Sequence, residues 1–162
     1  SRPRLVRARL GALTDELVRQ TRQEMESRRT TEVGWRRAFD ESERATRRAS
    51  GRRLLGLAIQ FTSRTSGRES VLEEACHIGR AYGKDAAERG LSLVETTRAF
   101  IFFRETLIRA ARPGLSKRGH YDAEDVHIHR SLREFLDQVL FAAMAAYEQA
   151  IHRALPSSGS SE

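Results

Sequence analysis

Five histidines, a single cysteine and an abundance of arginine are the side chains through which this 162-residue chain could do chemistry. His127 and His129 stand two apart, which on a helix turns them roughly 200° from each other, so they cannot share a metal ion without ligands from other helices. His120, Asp122 and Asp125 lie close by, yet acidic residues there are accounted for by the helix start, where carboxylates complement the dipole. His77 and His152 are isolated, and nothing marks either as a haem ligand. Cys76 has no second cysteine with which to form a disulfide or begin a zinc site. There is no phosphate-cradling glycine loop, no zinc-protease histidine pair and no nucleophile elbow. The expectation is a non-catalytic protein with no cofactor and no metal.

The most informative anomaly is a charge. At 100° per residue, Leu93, Val94, Thr97, Phe100, Ile101, Phe103, Leu107, Ile108 and Ala111 form one broad apolar face, and Arg104 falls inside it. A buried guanidinium left unpaired costs on the order of 3 to 5 kcal/mol, so an anion should meet it. Asp85, beside Tyr82 at the edge of the preceding helix's apolar face, is the expected partner. Arg104, Asp85 and Tyr82 therefore form the candidate site, read either as an ion pair that fixes helix register or as an anion or small-molecule pocket of unspecified ligand.

The composition sets the frame for these residues. A hydrophobic share of 39%, a charged share of 31% and only three prolines suit one helical domain with a real core. No apolar run approaches the roughly 20 residues needed to cross a membrane. No apolar signal-peptide centre follows the basic start. A cytoplasmic location is expected. Residues 1–53 hold 15 basic against 8 acidic side chains, whereas residues 54–162 hold 14 of each, so the whole excess of +7 lies in the first third. Such a segment can touch phosphates, with Arg36, Arg37, Arg47, Arg48, Arg52 and Arg53 as the candidate nucleic-acid contacts. The plainer reading is a solvated helix face, since 27 of the 29 basic residues are arginine. The start Ser1-Arg2-Pro3-Arg4, without an initiator methionine, reads as that of a fragment.

Apolar spacing predicts helices over 4–28 and 32–48, a break at Ser50-Gly51, and a short helix around Leu54 to Phe61 that is apolar on more than one side. Ser66 and Glu69 have capping-box spacing ahead of a helix over 68–89, which Gly90 should end in a left-handed cap. Gly79 and Gly83, one turn apart, leave a shallow groove for close approach of another helix. Ser92 and Glu95 repeat the capping-box spacing before a helix over 93–112 that Pro113-Gly114 should stop. A last helix should run over 122–154, ahead of a flexible tail at 156–162.

That last helix would span about 50 Å at 1.5 Å per residue. One face, Ile128, Leu132, Phe135, Leu136, Val139, Leu140, Ala143 and Tyr147, suffices to dock on its own bundle. A second apolar set, Phe141, Met144, Ala145, Ile151 and Leu155, lies outside that stripe. Either the segment around Leu54 to Phe61 covers it, or a second subunit does, which makes Phe141, Met144, Ala145 and Ile151 the candidate interface of a homodimer.

The stretch Ile78 to Leu107, with its small-residue helix, the turn Gly90-Leu91-Ser92-Leu93-x-Glu95 and the ending Phe103-Arg104-x-x-Leu107, resembles the N-terminal helical domain of RsbT co-antagonist-type bacterial regulators. The final helix, with its aromatic Tyr147, is similar too. The convincing part covers about 30 residues, and the basic first 50 match poorly. The resemblance implies a regulatory input module, of a kind also found beside helix-turn-helix DNA-binding domains and in kinase-type signalling proteins, with no catalytic residues. The combined expectation is an all-α bundle of five or six helices, a single domain over 1–155 with a basic arm at 1–53. It would act as a sensory or dimerisation domain of a stress-signalling or transcriptional regulator. Direct nucleic-acid binding by the arm is the alternative.

Overall fold

The structure, a computed structural model, describes Arg19, residues 41–116 and residues 123–155, with side chains placed for Arg19, 45–108 and 126–155. The described residues are all-helical, and residues 41–155 contribute four helices among them: α1 (Glu41–Ser63), α2 (Arg68–Glu88), α3 (Leu93–Ser116) and α4 (Ala123–Ala154). Arg19 is helical as well. The remainder of the helix expected over 4–28, the start of the one expected over 32–48, Arg36, Arg37, His120, Asp122 and the tail lie outside the described residues.

The expected break at Ser50-Gly51 does not occur, since α1 runs through it. A helical glycine costs only about 1 kcal/mol relative to alanine. α1 is anchored on both sides of Gly51, by Arg47 on Asp85 before it and by the buried Leu54, Leu55, Leu57, Ala58 and Phe61 after it. Tertiary packing therefore overrides the local signal. The capping box at Ser66 and Glu69 is likewise not formed. Gly67 is the cap of α2, in a left-handed conformation (φ 72°) with no side-chain cap bond, which leaves Ser66 one residue too early. Instead, Ser70 donates to the Gly67 carbonyl at 3.0 Å, and Arg68 stacks over the Phe61 ring and donates to the Phe61 carbonyl at 3.0 Å.

The turn between α2 and α3 follows the sequence signals closely. Gly90 has φ 74°, its N–H donates to the Ala87 carbonyl, and the N–H of Leu91 reaches the Ala86 carbonyl, both at 3.1 Å, the paired bonds of a Schellman cap. Ser92 and Glu95 then form a reciprocal box: the Glu95 N–H donates to Ser92 Oγ, and the Ser92 N–H donates to a Glu95 carboxylate oxygen, each at 3.1 Å. At its far end α3 does not stop at Pro113-Gly114 but continues to Ser116. A helical proline has no N–H to reach the carbonyl four residues earlier and its ring crowds that carbonyl, so the last turn of α3 continues against a local penalty.

The core gathers around α4, whose Ile128, Leu132, Phe135, Leu136, Val139 and Ala143 are buried. From α1, Phe61 meets Phe135 with ring centroids 5.4 Å apart. α2 and α4 share the most extensive interface and run parallel, Gly79 lying on Val139 and Gly83 on Ala143. A β-carbon at Gly79 would fall 2.7 Å from the Val139 carbonyl oxygen, and one at Gly83 would overlap the Ala143 carbonyl. The groove expected at these two glycines is thus filled by the backbone of α4. The buried hydroxyls of Thr62 and Thr96 each donate to the carbonyl four residues earlier, both at 2.8 Å, and so cost the core little.

Candidate functional site

Tyr82 reaches from α2 to α3, its hydroxyl donating to the Thr96 carbonyl at 3.0 Å and its ring 6.2 Å from Phe100. Arg47 of α1 lies over that ring, 4.9 Å from the centroid, and pairs with Asp85 at 3.3 Å. Asp85 also holds Arg89 at 2.9 Å, one turn along α2. Burial pushes the Tyr82 phenol above its ordinary pKa, while the charge and hydrogen bonding of Arg47 pull it partway back. This cluster ties three helices together.

Arg104 does not form the expected pair with Asp85, which holds Arg47 and Arg89 instead. Arg104 takes a carboxylate from α4, its Nη1 lying 2.8 Å from Asp137 Oδ1, with Glu105 at 3.6 Å from its Nε. Its side chain is 20% exposed and that of Asp137 46%, so the pair sits at the edge of the core rather than inside it. The reason is register. Tyr82 is level with Thr96 and Phe100, and Asp85 lies a turn nearer the connecting loop, so Arg104 is at least two turns too far along α3. Arg104 Nε is buried without a hydrogen-bond partner.

Two further contacts define the α3–α4 seam. Thr97 Oγ1 lies 3.1 Å from Met144 Sδ, and Tyr147 donates to the Leu91 carbonyl at 2.6 Å. Seven residues forward on α3, from Thr97 to Arg104, correspond to seven backward on α4, from Met144 to Asp137, so the helices run antiparallel. Met144, grouped in the sequence with an interface, is thereby turned toward its own α3. Rotating from these contacts at 100° per residue puts Val94 and Ile101 on one flank of α3 and Phe141 and Ala145 on one flank of α4. Antiparallel helices that face each other bring those flanks to the same side. All four residues are exposed, Phe141 at 62% and Val94 at 59%. Ile151 and Leu155, the latter 61% exposed, extend the apolar surface along α4.

The broad apolar face expected for residues 93–111 is therefore only partly inward. Phe100, Leu107 and Ile108 are buried, whereas Leu93, Val94 and Ile101 remain exposed. Sequence reasoning missed Asp137 and the exposure of Val94 and Ile101. Of the six arginines considered for nucleic acid, Arg47 is held by Asp85 and Arg53 donates to Glu74 at 2.8 Å, while Arg48 and Arg52 are exposed. His127 and His129 are both half-buried on α4. Among the described residues no group of three or more His, Cys, Asp or Glu side chains is placed to hold a metal ion, and no helix is long and apolar enough to cross a membrane.

Comparison with known proteins gives one family. The model described as the RsbT co-antagonist protein rsbRD N-terminal domain matches residues 11–157, a span that takes in much of the basic segment that had looked a poor match. No curated protein and no solved structure matches the chain.

Proposed function

The chain belongs to the RsbRD N-terminal domain family, and from that premise we propose that it is a non-catalytic input module, which pairs with a second copy of itself and relays a change in helix packing to an output partner. The family is one of signalling regulators named for antagonism toward RsbT. The output is a domain in the same chain or on a partner protein, of the DNA-binding or stress-signalling kind, and the module works in the cytoplasm.

The observation that carries this reading is the flank of the α3–α4 seam. Val94, Ile101, Phe141 and Ala145 are apolar, exposed and on one side of two antiparallel helices. Apolar surface contiguous over two helices is characteristic of a protein contact. A two-fold axis through the flank lets it cover itself, the simplest closed arrangement. α3 is held to α4 by a small number of contacts, so a shift of α3 along the seam would change the shape of the paired surface, which is how a helix displacement becomes a signal.

Sedimentation equilibrium tests it. The wild-type chain is expected to be dimeric at micromolar concentration. Phe141→Glu should yield a folded monomer with an unchanged helical circular dichroism spectrum, because this side chain is mostly outside the core. A wild type that stays monomeric at several hundred micromolar, or a Phe141→Glu dimer as tight as the wild type, refutes the pairing.

A further inference from the structure

The flank of the α3–α4 seam carries charges as well as apolar side chains. Rotated at 100° per residue from the seam contact of Thr97 with Met144, Arg98 falls beside Val94 and Ile101 on α3, and Glu148 falls beside Phe141 and Ala145 on α4. Both charged side chains are exposed. Among the described residues neither has a hydrogen bond or an ion pair within its own chain. One solvated charge is ordinary on a helix surface. One of each sign on the same exposed apolar flank gives that flank the means to complement a copy of itself.

The seam contacts also fix the levels of these residues. With Thr97 opposite Met144 and Arg104 opposite Asp137, Arg98 is level with Ala143 and Ile101 with Leu140. From Ala143 to Glu148 the helix rises about 7.5 Å. Side chains on a helix lean toward its N-terminus. Because α3 and α4 are antiparallel, that lean carries Arg98 toward the level of Glu148 and Glu148 toward the level of Arg98. A two-fold axis can close the flank in two ways. Perpendicular to the helices, it lays α4 antiparallel on α4 of the second copy. Centred on Phe141, the most exposed side chain of the flank, this sets Glu148 against Glu134 of the second copy, and two carboxylates repel. Parallel to the helices, the axis lays α4 on α3 of the second copy, level for level. Phe141 then covers Ile101, Ala145 covers Val94, and Glu148 of each copy comes within reach of Arg98 of the other.

We propose that the two copies pair crosswise, α4 of each on α3 of the other, with the register set by two symmetric contacts between Arg98 and Glu148; this rests on the self-pairing proposed above. Packed helices cross at roughly 20° or more. A crossing in the sense that brings Glu148 closer to Arg98 also carries Glu134 away from Glu105 of the second copy, with which it would otherwise be nearly level. Each α3 lies between its own α4 and the partner's, so a slide of α3 alters the contact in both chains.

The experiment is sedimentation equilibrium of the full chain carrying Arg98→Glu, Glu148→Arg or both. Each single reversal makes both symmetric contacts repulsive and should weaken the dimer about tenfold. The double reversal should restore the wild-type dissociation constant. Helical circular dichroism should be unchanged in all three, because both positions are exposed. A wild type that stays monomeric overturns the pairing and this register with it. A wild-type dimer that neither reversal weakens, or a double reversal that restores nothing, leaves the pairing standing and overturns the crosswise register. A dimer that Glu148→Arg tightens also overturns it, in favour of α4 on α4, where the new arginine would meet Glu134.

Discussion

α4 is joined to two neighbours in opposite ways. Against α2 it packs closely, with Gly83 seated on the Ala143 backbone and Gly79 on the carbonyl and Cγ1 of Val139. Against α3 it makes a few spaced contacts, Arg104 with Asp137 and Thr97 with Met144, and Tyr147 reaches the loop just ahead of α3. Apolar side chains remain outside that second seam. Contact between backbones, as at Gly83 on Ala143, admits one arrangement, because nothing in it can change rotamer. A seam of long side chains can be re-made after a small slide. The difference assigns α2–α4 to the rigid frame and α3 to the part able to move.

The strongest way to break this contrast is to put a methyl group into the frame. A β-carbon at Gly83 meets the carbonyl oxygen, carbonyl carbon and α-carbon of Ala143, so the helices must separate. Gly83→Ala should lose about 3 kcal/mol or more, since overpacking exceeds the roughly 1 kcal/mol gained in helix propensity. Gly79→Ala should lose less, because part of its clash is with the Val139 side chain. Gly56→Ala has open space around its β-carbon and should instead gain about 0.5 to 1 kcal/mol. Urea denaturation of the three variants checks the order. If Gly83→Ala is as stable as the wild type, α2–α4 is not the rigid pair described.

A smaller effect is expected at the seam. Asp137→Ala leaves the Arg104 guanidinium with only the more distant Glu105, and Asp137 is too exposed for a fully buried pair's energy to apply, so a loss of about 1 kcal/mol is expected. Arg104→Met keeps the aliphatic stem in place and removes an Nε that has no acceptor, so it should be close to neutral. Thermal melts that show Arg104→Met as the more damaging of the two would mean that the charge itself holds α3 in position.

Much of this arrangement can be read in the residues. The Schellman turn at Gly90 and the reciprocal box of Ser92 and Glu95 are local devices, set by residues within a few positions of one another, and both occur as their spacing implies. The box at Ser66 fails because a left-handed Gly67 takes over the cap one residue later, a choice that the same short stretch does not disclose. The break at Gly51 fails because long-range anchors outweigh a local penalty. The Arg104 partner is legible from helix register. Two antiparallel helices joined around residue 120 pair positions equally far from that point, which sets Arg104 opposite Asp137 and Thr97 opposite Met144. What periodicity does not tell is which part of a broad apolar face turns inward. Val94 and Ile101 are as apolar as the buried Ile108, and only the position of α4 separates them.

The smallest expected effect probes the other side of α3, where Tyr82 fastens it to the frame. Tyr82→Phe removes one hydrogen bond to the Thr96 carbonyl and keeps the ring against Phe100 and under Arg47, so a loss of about 0.5 to 1 kcal/mol at neutral pH is expected. Its alkaline behaviour is the sharper test. Burial raises the phenol above its ordinary 10.0, with Arg47 opposing, so the folded chain holds this proton more tightly than the unfolded chain does. The resulting stability is intact below about pH 10 and is lost as pH rises through the folded value, because the unfolded state then releases the proton first. Denaturant midpoints followed from pH 8 to 11 should therefore fall for the wild type more steeply than for Tyr82→Phe. Parallel curves would mean that the phenol is open to water in solution, that the clasp on α3 is loose on this side as well as at the seam, and that the frame consists of α2 and α4 without it.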